Sequence, residues 1–100
     1  MYEAQSARWL MPGPGGKTTA GSTSTAAVDL SAHLGQNVMF TLDQPAHFRA
    51  GDGSIGAAIT DDVILYPGHV YRFYVEAGRT HFRALRAGGT NAIISYAPVG

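Results

Sequence analysis

The sequence predicts an all-β domain, an antiparallel β-sandwich or jelly-roll-like barrel of about seven short strands, with an extended N-terminal arm. Three observations point there. Apolar and polar residues alternate with period two through most of residues 25–99, as half-buried strands require. Clusters of Gly, Pro, Asp and Asn interrupt these runs at intervals of roughly eight to twelve residues. No amphipathic helical period is sustained anywhere in the chain.

The organising stretch is residues 62–74, DVILYPGHVYRFY. An apolar run, Val63-Ile64-Leu65-Tyr66, meets Pro67-Gly68, and an aromatic run follows. Pro presets φ at the first turn position and Gly supplies positive φ at the second, as a type II turn demands. Type II twist does not suit the tightest hairpin. The two strands are therefore expected to join across a corner, in different sheets. In the second run Tyr71, Phe73 and Val75 share one face, and Val70, Arg72, Tyr74 and Glu76 share the other. The first set is assigned to the core.

The remaining elements follow in order. Residues 25–30 (TAAVDL) form a first strand with Ala26, Val28 and Leu30 on one face, and residues 31–35 a loop. Val38, Phe40 and Leu42 alternate with Met39 and Thr41 in a second strand. After a turn at Asp43-Gln44-Pro45, Ala46, Phe48 and Ala50 alternate with His47 and Arg49 in a third. Gly51 to Ser54 is a loop tip, and residues 55–60 are irregular or weakly extended. Beyond the central pair, Ala77-Gly78 turns the chain into residues 80–86, with Phe82 and Ala84 inward. Ala87-Gly88-Gly89 turns it into the last strand, where Ala92, Ile94 and Tyr96 oppose Ile93 and Ser95. The predicted core is Val38, Phe40, Leu42, Phe48, Val63, Leu65, Tyr71, Phe73, Val75, Phe82 and Ile94.

Residues 1–24 differ from the rest and are assigned to the arm, with the domain proper at 25–100. They hold a Pro-Gly-rich run at 12–16 and then a Ser/Thr/Gly/Ala tract, a composition that rarely packs into a core. Yet the only tryptophan, Trp9, sits there beside Leu10 and Met11, with Tyr2 and Arg8 close by. A lone Trp among flexible residues reads as an anchor for a pocket on another chain. Tyr2, Arg8, Trp9, Leu10 and Met11 are accordingly the candidate partner-binding residues, and residues 13–24 a linker. Removing residues 1–24 is expected to leave the domain's stability unchanged. Gly16-Lys17-Thr18 resembles the end of a phosphate-binding loop, but the glycine required five residues earlier is Met11.

Composition narrows the function classes. Seven basic and seven acidic residues cancel, so no basic field exists to hold a phosphate backbone, and nucleic acid is excluded as a partner. Charged residues are only 14%, and six of the seven basic residues are Arg, a bias typical of protein interfaces. There is no cysteine, which removes disulfides, zinc thiolates and cysteine nucleophiles together. The N-terminal residues lack the charged and apolar regions of a signal peptide. No apolar run approaches the ~20 residues needed to span a membrane, so no membrane partner is expected.

No catalytic constellation emerges. His47 and His81 fall on predicted outward faces, where adjacent strands would make them neighbours, but no converging set of metal ligands is apparent, and neither metal nor cofactor is expected. Asp52, Asp61 and Asp62 flank one loop without the spacing of a calcium loop, and Asp52-Gly53 is turn chemistry. The serines include no nucleophile elbow. Tyr66, Tyr71, Phe73, Tyr74 and Tyr96 are read as core and amphipathic rim in preference to a sugar-stacking platform.

Residues 65–90, LYPGHVYRFYVEAGRTHFRALRAGGT, carry a resemblance. An apolar strand, a Pro-Gly corner, an aromatic strand ending Val75-x-Ala77-Gly78, and a Thr80-His81 strand ending before Gly88-Gly89-Thr90 are similar to small β-sandwich decoration, or cement, proteins of tailed bacteriophages. The resemblance extends over about residues 25–99. It implies a non-enzymatic virion protein on the capsid surface, made in the host cytoplasm. Such a protein clamps neighbouring major capsid subunits and works as a homo-oligomer or as repeated copies on the shell. The alternative is a phage tail component or a receptor- or carbohydrate-binding module. Far-ultraviolet circular dichroism should show a strand-dominated spectrum; a dominant helical signal would overturn the fold assignment.

Overall fold

The computed structural model describes residues 15–99, and these form two packed antiparallel sheets of four strands each. The strands are β1 (Gly16–Ala20), β2 (Val28–Asp29), β3 (Asn37–Leu42), β4 (Ala46–Gly51), β5 (Val63–Leu65), β6 (Tyr71–Tyr74), β7 (His81–Arg86) and β8 (Ala92–Val99), with one 3-10 turn at Ser31–His33. The first sheet runs β1-β8-β3-β6 and the second β2-β7-β4-β5. Strands pair from the outside inward: β1 with β8, β2 with β7, β3 with β6 and β4 with β5. This is one long hairpin rolled up on itself, closed by β3·β8 and β4·β7 ladders, which is the jelly-roll topology.

The corner at Pro67-Gly68 makes the roll possible. Gly68 has φ +88°, as a type II turn requires. β5 lies in the second sheet and β6 in the first, so the chain changes sheets at this turn as its twist demands. The Tyr66 N–H donates to the Tyr71 hydroxyl at 2.9 Å, fastening the corner to the start of β6.

The core is an aromatic cluster padded with alanine. All four phenylalanines of the chain take part. Phe40 on β3 meets Phe48 and Phe82 edge-on at 5.2 and 5.1 Å and lies 6.0 Å from Phe73. Phe48 and Phe82 stack at 4.8 Å, and Tyr96 meets Phe82 at 5.6 Å. Phe40, Phe73 and Tyr96 come from the first sheet, Phe48 and Phe82 from the second, so the contacts cross the sandwich. Ala20, Ala46, Ala84 and Ala92 are fully buried around them. Large rings facing methyl groups let two sheets about 10 Å apart fill the space without voids.

Five expectations change. Gly16–Ala20, placed in the arm, is strand β1, paired along its length with β8. The domain therefore begins before residue 25, and the linker assignment fails for these residues. Their side chains are too small to show an apolar alternation, and the partner strand supplies the order. A Cβ on Gly16 would lie 2.7 Å from the Tyr96 hydroxyl, so glycine here lets the edge strand cross that ring. The strand expected over 25–30 is only Val28–Asp29. Val63, assigned to the core, is 64% exposed: it alternates toward the interior but sits at the open rim of an edge strand. His47, assigned outward and exposed, is buried. It does face outward from its sheet, but the Asp62 carbonyl folds back onto its Nδ1 at 2.9 Å. His47 and His81 are not neighbours, being opposite Leu85 and Gly51 respectively. The other predicted core residues are buried or packed against the core.

Phe82→Ala should destabilise the domain by about 3–5 kcal/mol, because its ring is fully buried. Val63→Ala should change the melting temperature hardly at all. Deleting residues 1–24 should lower the melting temperature, since it removes an edge strand and the buried Ala20.

Candidate functional site

The outer faces of the two sheets differ. The second sheet is covered by its own connections, held by two arginines. Arg49 on β4 and Arg83 on β7 are cross-strand partners, a like-charged pair that would repel if left alone. Arg49 forks onto the Asp62 carboxylate, with Nε–Oδ2 at 3.0 Å and Nη2–Oδ1 at 3.1 Å. Arg83 donates to the carbonyls of Thr25 (2.8 Å) and Ile55 (3.1 Å). The Asp62 carboxylate also accepts from the Ile59 N–H at 2.8 Å, and the Asp62 carbonyl accepts from His47 Nδ1 at 2.9 Å. The Ser24 hydroxyl accepts from the Ala58 N–H, tying the two covering segments together. Partial burial pushes the Asp62 carboxyl pKa up, but the Ile59 hydrogen bond and the Arg49 guanidinium outweigh it and hold the value below the usual carboxylate range.

The outer face of the first sheet is differently built. Its outward register positions form cross-strand rows: Tyr74, Asn37 and Val99, the last of them buried; Arg72, Met39 and Ala97; Thr41, Ser95 and Lys17; Ile93 and Thr19. Met39, Thr41, Ser95, Tyr96 and Ala97 line a shallow groove of about 180 Å³ over β3 and β8. Lys17 and Arg72 stand on either side, and no carboxylate lies in these rows. Asp43, at the end of β3, has its carboxylate engaged by the Ile93 N–H at 2.7 Å. The floor is short and mostly apolar, the flanks cationic. That suits docking of a protein surface better than chemistry on a small molecule: among the described residues neither Ser95 nor Thr41 is hydrogen-bonded to a base through its hydroxyl.

A third feature is the side of the sandwich bounded by β5 and β6, each the edge of its sheet. Of the seven large apolar residues exposed among those described, four lie here: Val63, Tyr66, Val70 and Tyr74. The histidine and acid candidates resolve into local structure. Among the described residues no three His, Asp or Glu side chains converge in a way that would hold a metal. Asp52 Oδ1 accepts from the Ser54 N–H (2.9 Å) and hydroxyl (2.7 Å), the turn expected of it. His81 Nε2 lies 3.4 Å from Asp29, whose carboxyl is held below its ordinary value chiefly by the Ser31 hydroxyl and N–H. Of the aromatics weighed as a stacking platform, Tyr71, Phe73 and Tyr96 pack on the core, while Tyr66 and Tyr74 are exposed.

The partner-binding candidates Tyr2, Arg8, Trp9, Leu10 and Met11 lie outside the described residues. The groove was not found from the sequence, although Met39, Thr41 and Ser95 were placed outward; the missing signal was that β3 and β8 are adjacent.

No protein-family model matches the chain, and no curated protein sequence matches it. The fold is similar to a solved structure, a de novo designed double-stranded β-helix determined by solution NMR. The TM-score is 0.59 at 19% identity, over 86% of this chain and 99% of that one. At that identity the likeness concerns the fold alone.

Asp62→Asn should cost about 1–3 kcal/mol at neutral pH, because Arg49 loses its charged partner. A carboxyl whose folded pKa is depressed stabilises above its unfolded value, about 3.9, and that contribution fades as pH falls through the folded value. Denaturation of wild type and variant should therefore converge in acid, measured by urea melts across pH.

Proposed function

We propose that the protein is a structural, non-catalytic virion component that decorates a tailed-phage capsid and clamps neighbouring major capsid subunits. The carrying observation is the contrast between the sheets: one outer face is covered by the chain's own straps, while the other offers a shallow apolar floor flanked by cations and free of carboxylates. An apolar centre with a charged rim is the anatomy of a protein-docking surface. The low charge content and Arg bias of the whole chain support the same reading.

In this reading the first sheet docks on the shell, and the residues ahead of Gly15 reach a neighbouring subunit. From Trp9 to Gly15 the chain can extend roughly 20 Å at ~3.3 Å per residue. An anchored arm and a docked domain on one chain bind with an effective concentration that neither has alone. Trp9, with Leu10 and Met11 beside it, is the anchor, and Arg8 pairs with an acidic group on the shell.

Cryo-microscopy of purified particles provides the test. Many ordered copies on the shell support decoration; a few copies at the tail would transfer the protein to the alternative of a tail or receptor-binding module; absence from particles would end both. In binding to shells lacking the protein, Thr41→Arg, which fills the groove, and Trp9→Ala should each weaken attachment at least about tenfold, or ~1.4 kcal/mol. Unchanged binding of Thr41→Arg would remove the first sheet from the interface, and unchanged binding of Trp9→Ala would remove the arm.

A further inference from the structure

β6 is an open edge of the first sheet. The Val75 N–H donates to the Gln36 carbonyl at 2.9 Å, and the Val75 carbonyl accepts from the Gly35 N–H at 2.8 Å, so the main-chain groups of Val75 point toward β3. Main-chain direction alternates along a strand. Tyr71 and Phe73 therefore bond to β3, while Arg72 and Tyr74 direct their N–H and C=O groups outward from the sheet. β6 is the last strand on this side, so nothing in the described fold pairs with them.

We propose that two copies of this chain associate through antiparallel pairing of β6 with β6, about a two-fold axis at Phe73. Arg72 of each copy then faces Tyr74 of the other. This register places outward-directed main-chain groups opposite one another, so each Arg72–Tyr74 pair exchanges reciprocal N–H···O=C bonds. It sets each guanidinium beside an aromatic ring, a favourable cation–π contact. Of the other symmetric registers, one centred on Arg72 puts like charges face to face, and one centred on Tyr74 calls on Glu76, whose main chain is already paired with Arg79. On the inner side the two Phe73 rings meet at the axis. Phe73 belongs to the core cluster yet remains half-buried, so contact across the axis covers its exposed part. The exposed Val63 and Tyr66, on the β5 side of the same boundary, lie where the second sheets of the two copies approach. The two first sheets become one continuous surface.

Natural edge strands are blunted by short length, charged side chains, proline or bulges. β6 is four residues long and carries Arg72, but it has no proline and its other three side chains are two tyrosines and a phenylalanine.

Sedimentation of the full chain in free solution, over rising concentration and without particles, tests this independently of the capsid reading. The wild type should show a monomer–dimer equilibrium. Arg72→Pro removes an outward N–H and no intramolecular bond, and should weaken the dimer at least about tenfold. Tyr74→Lys, which sets a cation against Arg72 of the other copy, should weaken it similarly, whereas Tyr74→Glu should preserve or tighten it. Amide exchange supplies a second readout: Arg72 and Tyr74 should gain protection on dimerisation, while Tyr71 and Phe73 are protected in both states. A strict monomer at all concentrations overturns the proposal. So does a dimer unaffected by Tyr74→Lys, a variant on an exposed side chain that leaves the fold intact even if the proline variant does not fold.

Discussion

The fold depends on five rings meeting across one interface. Phe40 sits at the centre of that cluster, touching rings from both sheets. In a chain this short, the stability of two stacked sheets comes largely from the apolar area they exclude from water together. Concentrating all the phenylalanine there has a geometric corollary. The surrounding inward positions must be small, and they are alanine at residues 20, 46, 84 and 92. Cross-strand pairing follows the same rule, with Phe48 opposite Ala84.

The aromatic core also explains why the surface is free to specialise. The second sheet's outer face is closed by straps that engage an otherwise repulsive arginine pair: a carboxylate neutralises Arg49, and carbonyls accept hydrogen bonds from Arg83. Both guanidiniums are hydrogen-bonded locally, so this face has fewer donors left for a partner. The first sheet has no such cover from the described connections, because the longest irregular stretch among the described residues, 52–62, falls between β4 and β5, both in the second sheet. Loop placement in the roll thus decides which face is available. The same topology leaves β5 and β6 as edges side by side at the corner, gathering there exposed apolar groups that are distant in neither sequence nor space.

Much of this was legible in the residues. The alternation of Val38, Phe40 and Leu42, the core face of Tyr71, Phe73 and Val75, and the change of sheet at Pro67-Gly68 all follow from period and turn chemistry. Where the reading failed, the deciding neighbour was remote. Gly16–Ala20 has the composition of a linker and becomes a strand because β8 lies beside it. His47 alternates outward as expected, but its exposure depends on a loop that folds back from residue 62. Val63 alternates inward, but nothing covers an edge position at the rim.

The sequence by itself determined the fold class, the inward face of the strands that carry an apolar alternation and the corner, because these depend on local backbone preference and on side-chain period. Tertiary structure alone decided which strands became edges, which outer face was covered, and that Met39, Thr41, Ser95 and Ala97 share one groove. Those outcomes depend on the pairing of strands far apart in the chain, such as β1 with β8 and β3 with β8. Pairing of that kind is selected by the burial of the whole aromatic cluster, a property that no single stretch of residues carries.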